Sequence, residues 1–185
     1  MNFRSRIAVP LVLVSTLGLI GYQSQSRPAG ASGTSKPVWS VAFSPKGGCT
    51  QLAVETLGTA KSTVLVQAYS FTNSSIAKAL VDAQKRGVRV EVILDKSQRT
   101  ERYSEADFLA HSGIPVSIDA AHAIAHNKVM VIDSETVITG SFNFTKAAEE
   151  HNAENLLVLH DKELAARYAD NWRKHRAHSE PYIGR

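Results

Sequence analysis

HNKVMVIDSETVITGSFN, residues 126–143, decides both the fold and the chemistry of this chain. Val129 to Ile132 make an unbroken apolar run of strand length, as in a strand buried on both faces. Side chains two apart on a strand point the same way, so His126 and Lys128 share a face at its head while Asn127 turns away. Asp133 falls on the opposite parity, and Asp133-Ser134-Glu135-Thr136 reads as a turn that Asp133 holds. Val137, Ile138 and Thr139 return as a second strand. Gly140 lets the backbone bend closely at its end, and Ser141 and Asn143 again lie two apart on one side.

An imidazole, an ammonium, a hydroxyl and a carboxamide converging without a carboxylate cluster suit an anionic, oxygen-rich substrate, with phosphate the leading candidate. Lys128 and Asn143 would donate to its non-bridging oxygens, and His126 could attack phosphorus or shuttle a proton. Thr145 to Glu150 reads as a short helix capped by Thr145.

Outward from this stretch, strands and helices alternate. Strands are expected at 39–43, 64–69, 88–94, 114–118 and 155–159. Helices are expected at 49–59, from a cap at Asn73 or Ser74 to Gly87, at 104–111 and at 161–175. The alternation predicts a single α/β domain, 38–180, with a mixed, mostly parallel sheet covered by helices on both faces. In such sheets, sites gather at strand ends.

Residues 1–31 stand apart. Arg4 and Arg6 precede an apolar run, 7–20, that is short for a spanning helix and typical of a signal peptide, followed by a polar linker. Export to the periplasm or medium is expected, with an uncleaved membrane anchor through residues 7–20 as the alternative. The chain has 21 Lys plus Arg against 17 acids; setting aside Arg4, Arg6 and Arg27 leaves 18 against 17. Net charge therefore says little about nucleic acid; of the basic clusters Lys85/Arg86/Arg89, Lys96/Arg99/Arg102 and Arg173/Lys174/Arg176, the Lys96 to Arg102 group, following a strand end, is best placed to meet a polyanion. Cys49 is the sole cysteine, which excludes an internal disulfide and a cysteine-based metal site.

The pattern H-x-K, four residues, D, six residues, G-S-x-N resembles the signature of the phospholipase D superfamily. It is most similar to the small bacterial endonucleases with one motif per chain, the EDTA-resistant Nuc type. Ala68-Tyr69-Ser70-Phe71-Thr72, Lys85-Arg86-Gly87-Val88 and Ser112-Gly113-Ile114-Pro115 carry the likeness outside the motif, which runs from about Val41 to the C-terminus. The resemblance implies a metal-independent phosphodiesterase, a non-specific endonuclease on DNA with RNA left open, working through a phosphohistidine. A membrane-anchored phosphodiesterase acting on cardiolipin-type phospholipid is the alternative. It implies a catalytic set of His126, Lys128, Asp133, Ser141, Asn143 and Glu154, with Lys128 and Asn143 binding substrate and Glu154 orienting His126.

Displacement at phosphorus needs a nucleophile on one side and an acid on the other. The remaining six histidines lack the accompanying lysine and Gly-Ser-x-Asn, so a homodimer with both His126 side chains in one cleft is expected. His122 and His126 lie four apart, but Ala123 stands where H-E-x-x-H has its glutamate and the segment does not read as a helix. No metal and no cofactor are therefore expected.

Overall fold

The structure, a computed structural model, describes residues 38–185. The segment read as an export signal or anchor, 1–31, lies outside the described residues. β1 (Trp39–Ser44) leads through α1 (Cys49–Gly58) to β2 (Thr63–Ala68), α2 (Ser74–Lys85) and β3 (Arg89–Asp95). A 3₁₀ turn (Lys96–Arg99) and α3 (Ala106–His111) precede β4 (Val116–Asp119). The hairpin β5 (Lys128–Ile132) and β6 (Thr136–Gly140) follows, then α4 (Lys146–Glu150), β7 (Glu154–His160), α5 (Lys162–His178) and β8 (Glu180–Tyr182).

All eight strands form one sheet in the order β1-β7-β6-β5-β2-β3-β4-β8. Only β2–β3 and β3–β4 are parallel; the other five pairings are antiparallel. The sheet is thus mixed, as the alternation of elements predicts, but mostly antiparallel rather than mostly parallel. Alternation holds where the whole connection is long enough to return the chain along a strand, as the twelve-residue α2 does between β2 and β3, and the 3₁₀ turn, loop and α3 together do between β3 and β4. Between β6 and β7 the only helix is the five-residue α4. At 1.5 Å per residue it falls far short of a seven-residue strand, and the chain turns back on itself.

Both faces are covered because the strands carry apolar residues on both parities. Val64, Val66, Met130, Ile138, Leu156 and Val158 pack with Leu57, Ile76, Leu80 and Leu109 from α1, α2 and α3. Leu65, Ile93, Val129, Val131 and Val137 face Ala165, Ala169 and Trp172 of α5, whose 4- and 3-residue spacing makes one helical stripe. The Trp172 indole reaches through to donate to the Val66 carbonyl at 2.8 Å. Helix starts follow the sequence: the Asn73 side chain accepts from Ser75 and Ile76 N–H groups, Thr145 from Ala148 and Asp161 from Leu164.

The β5–β6 turn depends on Asp133. It and Ser134 take left-handed φ of 53° and 56°, the conformation that closes a tight hairpin. Its carboxylate accepts from the N–H groups of Lys61, Ser62 and Thr63 and the Ser62 hydroxyl, at 2.8–2.9 Å, locking the turn to the start of β2. Burial pushes the Asp133 pKa up, but these donors outweigh it and the net shift is downward. A carboxylate lowered in the folded state contributes stability that is complete above its unfolded pKa and lost as pH falls through the folded value. Asp133→Asn is expected to cost about 1–3 kcal/mol at neutral pH. In urea melts that difference shrinks as pH falls below about 4; a difference that stayed constant into acid would contradict this account.

Candidate active site

The motif residues come from four segments that meet at one end of the sheet. Lys128 opens β5 opposite Ala68 at the close of β2, and Gly140 closes β6 opposite Leu156 near the head of β7. A hairpin returns the chain to the end it left, which brings His126 and Lys128 to the same edge as Ser141 and Asn143.

Lys128 is buried, 7% exposed, while His126 is exposed at the rim. The Lys128 ammonium donates to the His126 carbonyl at 3.1 Å and sits 5.2 Å from the centre of the Tyr69 ring, within cation–π range. The same ring meets the His126 imidazole edge-on, with centroids 4.7 Å apart. The Tyr69 N–H donates to the Asn127 carbonyl at 2.8 Å, tying the approach to β5 onto the end of β2. Tyr69 is the member of this site that sequence reading missed as a site residue. Its signal in the sequence was its place in the Ala68 to Thr72 stretch that carries the family likeness outside the motif.

Burial lowers the Lys128 pKa below the ordinary lysine value, and the Glu154 carboxylate works against that shift. Glu154 heads β7 opposite Ser44 and accepts from the Asn152 side chain at 3.1 Å. Its hydrogen bond thus runs to Asn152 and its charge acts on Lys128 through the field, while the neighbour of the His126 ring is Tyr69.

Gly140 has φ 144°, and a Cβ there would lie 2.3 Å from the Asn155 carbonyl oxygen, closer than any side chain is tolerated. That close approach lets the exposed Ser141 hydroxyl accept from Asn155 N–H and Nδ2 at 3.1 and 3.3 Å. Asn143 follows between Phe142 and Phe144, both buried. The Phe144 carbonyl accepts from the N–H groups of Thr72 and Asn73, and its ring packs edge-on to Phe71 at 5.8 Å. The Asn143 Oδ1 is buried without a hydrogen-bond partner.

Asp133 does not join them. It lies past the far end of β5, about 15 Å of strand from Lys128, and its bonds run to residues 61–63. The expected place of Asp133 in the catalytic set does not hold: it fixes the hairpin and is remote from His126 and Lys128. His122 also parts from His126, turning its ring to Asp119 at 3.2 Å. Of the Lys96 to Arg102 cluster, Lys96 binds the His122 carbonyl at 2.9 Å and Arg99 pairs with Glu180 at 2.8 Å, while Arg102 is exposed.

Comparison with known proteins agrees with this arrangement. Residues 53–176 match a family model described as cardiolipin synthase, PLD-like domain. A phospholipase D of Rickettsia bellii is 45% identical over 138 residues, 75% of this chain and 69% of that one. A mitochondrial cardiolipin hydrolase of Chlamydomonas reinhardtii is 34% identical over 118 residues, 64% of this chain and 53% of the relative. The crystal structure of Nuc from Salmonella typhimurium, a phospholipase D family member, superposes with a TM-score of 0.76 at 40% identity, covering 78% of this chain and 97% of Nuc. This chain belongs to the phospholipase D superfamily and is one of its phosphodiester hydrolases.

Proposed function

We propose that the protein is a metal-independent endonuclease that cleaves DNA, and RNA where it is offered, through a phosphohistidine formed on His126. The observation that carries this reading is an exposed imidazole and a buried ammonium packed against the same Tyr69 ring, with a carboxamide and a carboxylate at the same sheet edge. Lys128 and Asn143 bind the non-bridging oxygens, Ser141 supports the Asn143 loop, and Glu154 orients the imidazole once the cleft is complete. Likeness to the small single-motif endonucleases supports the nucleic-acid substrate. So does the open, exposed setting of His126, since contacts to backbone phosphate need no deep pocket.

The reaction needs two histidines, and each chain offers one at the site. In a homodimer with a shared cleft, His126 Nε2 or Nδ1 attacks phosphorus, the phosphorus–oxygen bond to the leaving strand breaks, and the partner's His126 protonates that oxygen. The partner's His126 then takes a proton from water, which displaces His126 from phosphorus and returns both imidazoles to their starting state. The positive charge that a metal would supply comes from Lys128 of each chain. The edge strand β1 supports association: Trp39 and Phe43 are 56% and 63% exposed, with Val41 between them on the same parity. Among the described residues no strand pairs beyond β1, and proteins rarely leave such an apolar stripe uncovered.

A phospholipid phosphodiesterase is the second reading, favoured by the names of the relatives from Rickettsia and Chlamydomonas. Export, with residues 7–20 as signal or anchor, is part of the proposal and suits either substrate.

Purified protein in EDTA is expected to cut plasmid DNA and leave cardiolipin vesicles intact. Cleavage of lipid without DNA would establish the second reading instead. His126→Ala should lower cleavage by about a thousandfold or more while retaining DNA binding. When wild type and His126→Ala are co-refolded in equal amounts, a two-histidine cleft predicts that activity falls to about one quarter of the all-wild-type value, because only dimers with both imidazoles work. A fall to one half would mean that each chain acts alone. Trp39→Ser with Phe43→Ser is expected to shift the dimer to monomer in sedimentation and to abolish cleavage with it.

A further inference from the structure

On the α5 side of the sheet, away from the contacts of His126, a buried carboxylate collects three imidazoles. Asp119, at the end of β4, is fully buried. His122 Nδ1 lies 3.2 Å from its Oδ1, His178 Nε2 3.3 Å from the same oxygen, and His175 Nδ1 2.7 Å from Oδ2. The four ligand-type atoms lie within 4.8 Å of one another, and the three ring centroids are 4.9–5.4 Å apart. We propose that Asp119, His122, His175 and His178 form a structural zinc site, distinct from the phosphodiesterase centre and without part in its chemistry.

The chemistry favours an ion over a purely hydrogen-bonded cluster. Three imidazole lone pairs and one carboxylate oxygen converging on one point satisfy a divalent cation together, and the carboxylate offsets half of its charge. A tetrahedral zinc with bonds of about 2.0–2.1 Å sets its ligand atoms about 3.3 Å apart, which the two distances to Asp119 Oδ1, 3.2 and 3.3 Å, match; His175 Nδ1 stands closer, 2.7 Å from Oδ2. Imidazole-rich donors select zinc and its first-row neighbours, while magnesium and calcium require oxygen. Four protein ligands fill the tetrahedron, which is the mark of a structural site.

The surroundings add to the pull on a cation. His175 and His178 occupy the last turn of the 17-residue α5, where the helix dipole is negative. Asp95 lies beside Asp119 in register on the neighbouring strand. The ligand geometry is braced from behind: Ser179 Oγ donates to the His175 carbonyl at 2.7 Å, and Lys96 Nζ to that of His122 at 2.9 Å. His122 and His178 are partly exposed, so an ion can enter from solvent. Once bound, it would join the end of β4 and the end of α5 to the 120–127 loop. That loop delivers His126 to the site, and its Ala125 N–H is already pinned to Asp95 at 2.7 Å.

The test uses the full chain, stripped with a chelator, dialysed and titrated with ZnCl₂. About one zinc per chain should be retained through gel filtration, and zinc at a hundredfold excess over its Kd should raise Tm by about 5–10 °C. Co²⁺ in the same protein should give the intense visible absorption of a tetrahedral ion. His126→Ala should bind zinc like wild type, whereas His122→Gln with His178→Gln should lose both the ion and the Tm response while its stripped form still melts cooperatively. If that double variant does not fold, wild-type stoichiometry and the Co²⁺ spectrum decide. Wild-type protein that retains no zinc, weak octahedral Co²⁺ bands, or loss of zinc on replacing His126 would each overturn the proposal.

Discussion

The reversal of chain direction at Asp133 is the constraint on which the rest of the structure depends. β2, β3 and β4 run in parallel and deliver their C-terminal ends to one edge of the sheet. β5 runs back from that edge beside β2, and β6 returns to it. A tight hairpin is the shortest way for one contiguous stretch to visit the same edge twice, once as His126 and Lys128 and again as Ser141 and Asn143. The turn needs two successive left-handed residues, neither of them glycine. The strain is tolerable because the Asp133 carboxylate gathers four donors from the start of β2. An interaction at one end of the strand thereby sets the register on which the chemistry at the other end relies.

Much of this was legible in the sequence, and the failures have physical causes. Strands and helices were readable because burial imposes a period, and Asn73, Gly87 and Thr145 marked their ends as the local chemistry requires. Strand direction was not readable, because the apolar runs of β2 and β5 look alike whether the neighbour is parallel or antiparallel. Direction is set by the length of the connection, and α4 is too short to carry a crossover. β8 was missed altogether. Its Glu180, Pro181 and Tyr182 have no strand pattern, and they pair with β4 because Tyr182 donates to Asp107 at 2.6 Å and Arg99 holds Glu180.

The same division holds at the site. His126, Lys128, Ser141 and Asn143 could be grouped by parity within one hairpin. Tyr69 could not, since its contact with His126 and Lys128 arises from pairing of β2 with β5, sixty residues apart in the chain. Nor could the cluster around Asp119 be read from spacing: His122 was visible only as a neighbour of His126, and His175 and His178 only among the histidines without a motif. Tertiary packing of α5 across the sheet brings them together.

The energetics of Lys128 tie the fold to catalysis. An ammonium with 7% exposure has lost most of its water, and what replaces that water is the His126 carbonyl, the Tyr69 ring face and the field of Glu154. These partners keep the charge tolerable without saturating its three donors. On the proposed mechanism, a phosphate arriving at the rim would meet a cation already desolvated and oriented, and would be bound more strongly than by a solvated surface lysine. Charge on the equatorial oxygens grows as the nucleophile approaches phosphorus, so the attraction is greatest at the transition state, the condition for binding to become rate acceleration. The burial that depresses the proton affinity of Lys128 and the field that assists cleavage are one feature of the sheet edge, and replacing Lys128 by a longer or more exposed cation would weaken both together.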